Sequence, residues 1–172
     1  VAGTTSTVDF DLWNTTKGSV TGSGTLTWNV HYIREYMDGY WDNFNGHLII
    51  NGTGSGNNSS FCLRNGGDAN VGGIRNATIE LKGNARVNGR SGGTFYLGGL
   101  SGASGTALSG FDVRNGGSGT WIVGGANTDE DFHGVIDNYN QTHNTKMGKA
   151  SIEKVGTGDW RLTGNSDYAG TT

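Results

Sequence analysis

A glycine-rich phrase occurs three times in this chain and constrains the fold more than any other feature. Each copy reads Gly-x-Gly, then Thr or Asp, then Leu or Trp, and is followed by an aromatic-x-Gly triplet. The copies begin at Gly22, Gly117 and Gly156, and their triplets end at Gly46, Gly134 and Gly170. Turn glycines that recur ahead of an apolar strand are typical of repeat proteins, in which one short unit stacks on the next.

The composition favours strands and turns. The chain has 33 glycines and no proline among 172 residues, and aromatic residues make up 10%. Disordered chains are poor in aromatic residues, so this chain has the means to fold. Abundant Thr, Asn and Ser support strands and turns better than helices. We therefore predict an all-β protein with one domain, 1–172.

Short alternating runs predict the strands. They cover 6–12, 24–32, 47–51, 60–64, 77–81, 85–88, 94–97, 111–114, 120–123, 134–137, 150–155 and 160–163. The segment 32–43 is the best helix candidate, with an irregular excursion as the alternative. A second repeat, Leu-Arg-Asn-Gly-Gly at 63–67 and Val-Arg-Asn-Gly-Gly at 113–117, supports stacking. Rungs of roughly 20–25 residues give a solenoid of about seven or eight rungs, with Asn at corners forming ladders between rungs.

Charge and hydropathy exclude several classes of partner. The net charge is −3 and no basic stripe is present, so we expect no nucleic acid partner. No apolar stretch reaches the roughly 20 residues that span a bilayer, so we expect no membrane insertion. The single cysteine, Cys62, excludes an internal disulfide and predicts a buried thiol. The four histidines show no metal-binding spacing.

The segment 156–171, Gly-Thr-Gly-Asp-Trp-Arg-Leu-Thr-Gly-Asn-Ser-Asp-Tyr-Ala-Gly-Thr, resembles the autotransporter-associated β-strand repeat. Residues 119–134 resemble it more loosely. The segment 24–46 resembles the β-helical tails of large bacterial surface proteins and of secreted polysaccharide lyases. The resemblance implies a right-handed parallel β-helix in an extracellular or bacterial surface protein. It also implies that other domains of the same parent chain are partners.

Large aromatic and arginine side chains cluster between residues 28 and 41. We single out Trp28, Tyr32, Arg34, Tyr40 and Trp41 as a candidate glycan-binding platform. Sugars have apolar faces ringed by hydroxyls, and an Arg fork matches the carboxylate of a uronic acid. The alternative is that these rings cap the end of the solenoid.

Arg64 and Arg114 occupy equivalent places in the second repeat. If they project from one face, they predict binding of an acidic, pectic type of polysaccharide. The alternative is a pair of solvated arginines of little energetic weight.

Consecutive acids at 129–131 raise the question of a metal. Asp129 and Asp131 offer oxygen ligands of the kind that Ca²⁺ takes, although the loop lacks the ligand spacing of an EF-hand. Its place in the repeat instead predicts a solvated turn. We expect no other cofactor.

These residues support three functions. The leading prediction is a non-catalytic, carbohydrate-binding module of a secreted or surface protein. The second is a structural passenger or stalk of a bacterial adhesin. The third is part of a pectate-lyase-like enzyme, whose base would be drawn from Arg64, Arg75, Arg86, Arg90 and Arg114 and would face acids on adjacent rungs. An exposed cluster at 28–41 favours the first function, and a buried one favours the second.

Overall fold

The computed structural model describes residues 4–10, 14–16, 19–31, 35–37, 41–55, 59–63, 71–90, 93–112, 118–140, 145–146 and 149–172. These residues form strands, turns and bends, and no helix occurs within these ranges. The all-β prediction is confirmed. Residues 35–37 of the helix candidate form a strand, so a helix over 32–43 was the wrong alternative.

Seventeen strands are named in chain order. They are β1 (Thr5–Phe10), β2 (Asn14–Thr16), β3 (Thr25–Val30), β4 (Glu35–Met37), β5 (His47–Gly52), β6 (Ser60–Leu63), β7 (Val71–Gly83), β8 (Arg86–Arg90), β9 (Gly93–Gly102), β10 (Ala107–Asp112), β11 (Gly119–Val123), β12 (Glu130–Phe132), β13 (Val135–Asp137), β14 (Tyr139–Asn140), β15 (Thr145–Lys146), β16 (Ala150–Lys154) and β17 (Trp160–Leu162). Every predicted strand overlaps an observed one. The three-residue strands β2, β4 and β12 were missed, although β13 and β17, which are of the same length, lie within predicted runs.

The strands form two parallel sheets and one small hairpin. The larger, nine-stranded sheet has the order β1-β3-β5-β7-β9-β11-β16, with β12 and β17 alongside. The smaller, six-stranded sheet has the order β13-β10-β8-β6-β4-β2. From β1 to β11, successive strands therefore alternate between the two sheets. The antiparallel exception is the β14–β15 pair.

In the two parallel sheets, paired strands lie far apart in sequence. Thr5 lies opposite Thr25, 20 residues later, and His47 lies opposite Thr78, 31 residues later. Parallel strands cannot be joined by a tight hairpin, so a connection of this length is required. Here the connection includes a strand of the other sheet.

One apolar core lies between the two sheets. The Trp28 ring on β3 meets the Phe61 ring on β6 edge to face, with centroids 4.9 Å apart. Trp121 on β11 packs on Phe95 and donates its indole N–H to the carbonyl oxygen of Ser109 on β10, at 3.0 Å. The core residues of the larger sheet alternate with outward polar ones, as a sheet with one wet face requires.

In each aromatic-x-Gly triplet, the aromatic residue and the glycine have different structural roles. Phe44 and Phe132 are buried in the core, and Tyr168 packs against it. The glycine permits close passage of the backbone. A Cβ at Gly46 would overlap the carbonyl oxygen of Gly24, and one at Gly170 would overlap that of Ala150. The repeated phrase thus combines a core anchor with a turn that lies directly on the preceding turn.

Candidate functional site

The structure places the two tryptophans of the predicted platform in the core. Trp28 is 3% exposed and Trp41 is 1% exposed, and their ring centroids lie 5.9 Å apart. Phe44 packs edge to face on Trp41. A ring with so little exposed area has no face to offer a sugar, so neither tryptophan can act as a stacking platform in this fold.

The other predicted ligand-binding residues lie outside the described ranges. They are Tyr32, Arg34, Tyr40, Arg64 and Arg114. Their proposed contacts with a glycan stay predictions.

Asp129 lies directly before β12, and Glu130 and Asp131 are the first two residues of that strand, so two of the three acids lie in a strand and not in the solvated turn that the sequence predicted. An Asp129 carboxylate oxygen accepts the backbone N–H of Asp159 at 2.8 Å, and Asp131 forms an ion pair with Arg161 at 3.0 Å. These residues and Glu130 line a shallow pocket. Across the residues that the structure describes, no group of three His, Cys, Asp or Glu side chains is placed to hold a metal ion. Calcium binding by Asp129 and Asp131 stays a prediction.

The outward side of the larger sheet carries hydrogen-bonded polar side chains in contact with solvent, and we call it the open face. On it, His47 bonds Thr78 through Nδ1 at 2.8 Å and Glu80 through Nε2 at 3.1 Å. Lys82 lies 3.2 Å from the other oxygen of Glu80. Two rungs of an asparagine ladder are present, since Asn51 donates to Asn29 at 2.9 Å.

A histidine with a hydroxyl on one nitrogen and a carboxylate on the other resembles a catalytic triad in its connectivity. The same His–Thr pairing recurs, however, at His31 with Thr53 and at His133 with Thr163. The partners in these two pairs are 22 and 30 positions apart in the sequence. The recurrence identifies the His–Thr pair as a structural link between neighbouring passes of the chain.

The outward side of the smaller sheet is different, and we call it the covered face. Ser60 and Cys62 alternate with the core residues Phe61 and Leu63, so they point away from the core, yet both are buried. Asn88 and Ser109 on the next strands are buried too. The burial of Cys62 agrees with the expectation from the sequence.

One ion pair lies on the covered face. Arg86 on β8 bonds Asp137 on β13 at 2.5 Å and the Ser109 hydroxyl on β10 at 2.6 Å. The two charged side chains are 16% and 14% exposed. This pair links three adjacent strands of the sheet. A lyase base requires a free face towards a group of acids, whereas Arg86 here is held in a nearly buried pair.

Another cluster of polar side chains lies at the surface around Arg75 on β7, and we call it the Arg75 site. The Arg75 Nε donates to an Asp42 carboxylate oxygen at 2.9 Å, and its guanidinium carbon lies 4.3 Å from the centre of the Tyr96 ring. The Arg75 and Asp42 side chains are 40% and 51% exposed. The cluster therefore offers donors, an acceptor and a flat surface to solvent.

Buried neighbours fix the position of Asp42. The Trp41 and Phe44 rings on either side of it are in the core, and the Phe44 N–H bonds the Trp41 carbonyl oxygen at 3.0 Å. The Asn76 amide donates to the Asp42 carbonyl oxygen at 2.7 Å. The sequence signal nearest to this site was Trp41, which we interpreted as part of the binding surface itself. Sequence alone gives no means of joining Asp42 to Arg75 or Tyr96.

Comparisons with known proteins give no family. No protein-family model matches the chain, and no curated protein matches it. Within the described residues, no helix has the length and hydropathy to cross a membrane. The structure thus defines the class, an all-β protein of mostly parallel strands, and the function has to be argued from its surfaces.

Proposed function

We propose that this chain is a right-handed parallel β-helix of about seven rungs that serves as a stiff, non-catalytic spacer in an extracellular or bacterial surface protein. The path of seven parallel strands through the larger sheet, with alternate strands in the smaller sheet, supports the coil. Right-handed connections between parallel strands are the strong rule, which supports the hand. The resemblance of 156–171 to the autotransporter repeat supports the location.

The burial of Trp28 and Trp41 is the main observation in support of the spacer function. The largest side chains of the chain's aromatic cluster are used to fill the core, as expected for a stalk. Core aromatics and close turns stiffen a stack, because each pass is packed on the one before it.

Carbohydrate binding is the second candidate function. The exposed Arg75 site favours it, since a planar guanidinium and a carboxylate suit sugar hydroxyls. The binding of an acidic polysaccharide by Arg64 and Arg114, which the sequence predicted, is part of this second candidate function.

The spacer function is tested by a distance measurement within the chain. Spin labels at Thr7→Cys on β1 and Arg161→Cys on β17, with Cys62→Ala, lie in one register column that crosses β3, β5, β7, β9 and β12. Six strand spacings predict about 29 Å between the two backbone positions. We expect one narrow distance distribution near that value after allowance for the labels. A broad distribution like that of a flexible linker would rule out a stiff spacer.

A further inference from the structure

The Arg75 side chain is held in one orientation by two independent contacts. Its Nε is bonded to Asp42, and its guanidinium carbon lies over the Tyr96 ring, 4.3 Å from the ring centre. These groups come from three successive passes of the chain: the turn before β5, then β7, then β9. Because the side chain is held before any ligand arrives, little rotamer entropy remains to be lost on binding.

The part of the site that faces solvent has unused hydrogen-bonding groups. Among the residues that the structure describes, no acceptor bonds the two Nη nitrogens of Arg75, and the second Asp42 oxygen and the Tyr96 hydroxyl have no partner either. A guanidinium has five N–H donors, of which one is bonded to a residue that the structure describes. Donors and an acceptor therefore lie side by side at the surface.

The charge of the site decides the kind of ligand. The Arg75 cation and the Asp42 anion cancel, so the pair exerts little net attraction on an anion. A vicinal diol needs a donor for one oxygen and an acceptor for one hydroxyl hydrogen, and this pair supplies both. The net charge of −3 further disfavours an acidic polymer.

The surface continues beyond Tyr96 along the direction in which strands stack. Tyr96 alternates with the buried Phe95 and Leu97, so it points outward, and its neighbour on β11 is Ile122, which is half-buried. Thr94 and Thr120 form the adjacent outward pair. This gives a strip of one aromatic, one aliphatic and two hydroxyl side chains next to the Arg–Asp pair.

We propose that the Arg75 site binds a neutral polysaccharide through a vicinal diol of one sugar residue, with Arg75 as donor and Asp42 as acceptor. This inference rests on the second candidate function and is independent of the spacer function. It moves the binding surface away from the buried tryptophans. It also changes the expected ligand from an acidic glycan to a neutral one at this site.

The test is affinity electrophoresis against soluble xylan, mannan, mixed-linkage β-glucan and polygalacturonate. The variants are Arg75→Gln and Asp42→Asn. The matched control is Arg161→Gln, which breaks another exposed Arg–Asp pair, that of Arg161 with Asp131. Thermal unfolding of each variant checks that the fold is retained. A substitution of Trp41 would not serve, because it would damage the core.

We expect retardation by at least one neutral polymer, with Kd raised about tenfold in Arg75→Gln and in Asp42→Asn and unchanged in Arg161→Gln. Binding to polygalacturonate alone would overturn the proposal, as would equal loss in Arg161→Gln or no binding to any of the four polymers. None of these results would affect the distance measurement, so failure here is distinguishable from failure of the spacer.

Discussion

The open face and the covered face are built on parallel strands of the same geometry, yet their polar side chains are in opposite surroundings. On the open face, Glu80 bonds both His47 and Lys82, and the three side chains are 32–46% exposed. On the covered face, Asn88 and Ser109 are buried and the Arg86–Asp137 pair is nearly so. A polar contact thus contributes differently to stability on each face, because solvent screens contacts on the open face much more than contacts on the covered face.

The largest difference is expected for the ion pair of the covered face. Arg86→Met should lower the free energy of unfolding by about 3 kcal/mol, because it removes the cation 2.5 Å from the Asp137 carboxylate, which has little contact with solvent. Urea unfolding measures this change.

The double variant Arg86→Met, Asp137→Leu serves as its control. It should recover most of the loss, since removal of both charges removes the desolvation cost as well. A single variant as stable as the wild type would show that the pair is effectively solvated and that the two faces are alike.

A matched pair of asparagine substitutions gives an intermediate effect. Asn88→Ala should cost about 1–2 kcal/mol, because the buried Ser60 hydroxyl loses its partner on Asn88, 3.4 Å away. Asn51→Ala, which breaks the ladder bond to Asn29 on the open face, should cost about 0.5 kcal/mol. Urea midpoints measured under the same conditions decide the comparison. Equal costs for the two variants would contradict it.

The smallest effect is expected at the centre of the open face. Glu80→Gln removes charged contacts with His47 and Lys82 and should change stability by about 0.5 kcal/mol or less. The change should shrink further in about 1 M salt, where the screening length is roughly 3 Å. A large loss of stability that does not depend on salt would mean that the Glu80 contacts stabilise the fold as much as the Arg86–Asp137 pair does.

The sequence predicted the class of fold because glycine turns and alternating strands are local signals. The triplets at Phe44 and Phe132 did mark core anchors and turns. Alternation put Trp28 on one face of its strand, but it does not say which face is buried. For that reason the aromatic cluster was interpreted as a surface.

The two faces could not be told apart from the sequence. Ser60, Asn88 and Ser109 are small polar residues that are usually exposed, so their burial has no local signal. The Arg86–Asp137 and Arg75–Asp42 pairs join residues 51 and 33 positions apart. Such pairs depend on how many residues separate successive passes, and this number varies from pass to pass along the chain.

The close turns at Gly46 and Gly170 have a consequence for how the chain assembles. At both glycines the backbone lies directly against the carbonyl group of an earlier residue, Gly24 or Ala150, so each pass provides a surface on which the following pass packs. A polypeptide of this kind can fold in order as it emerges from a narrow exit, with no need to wait for its far end.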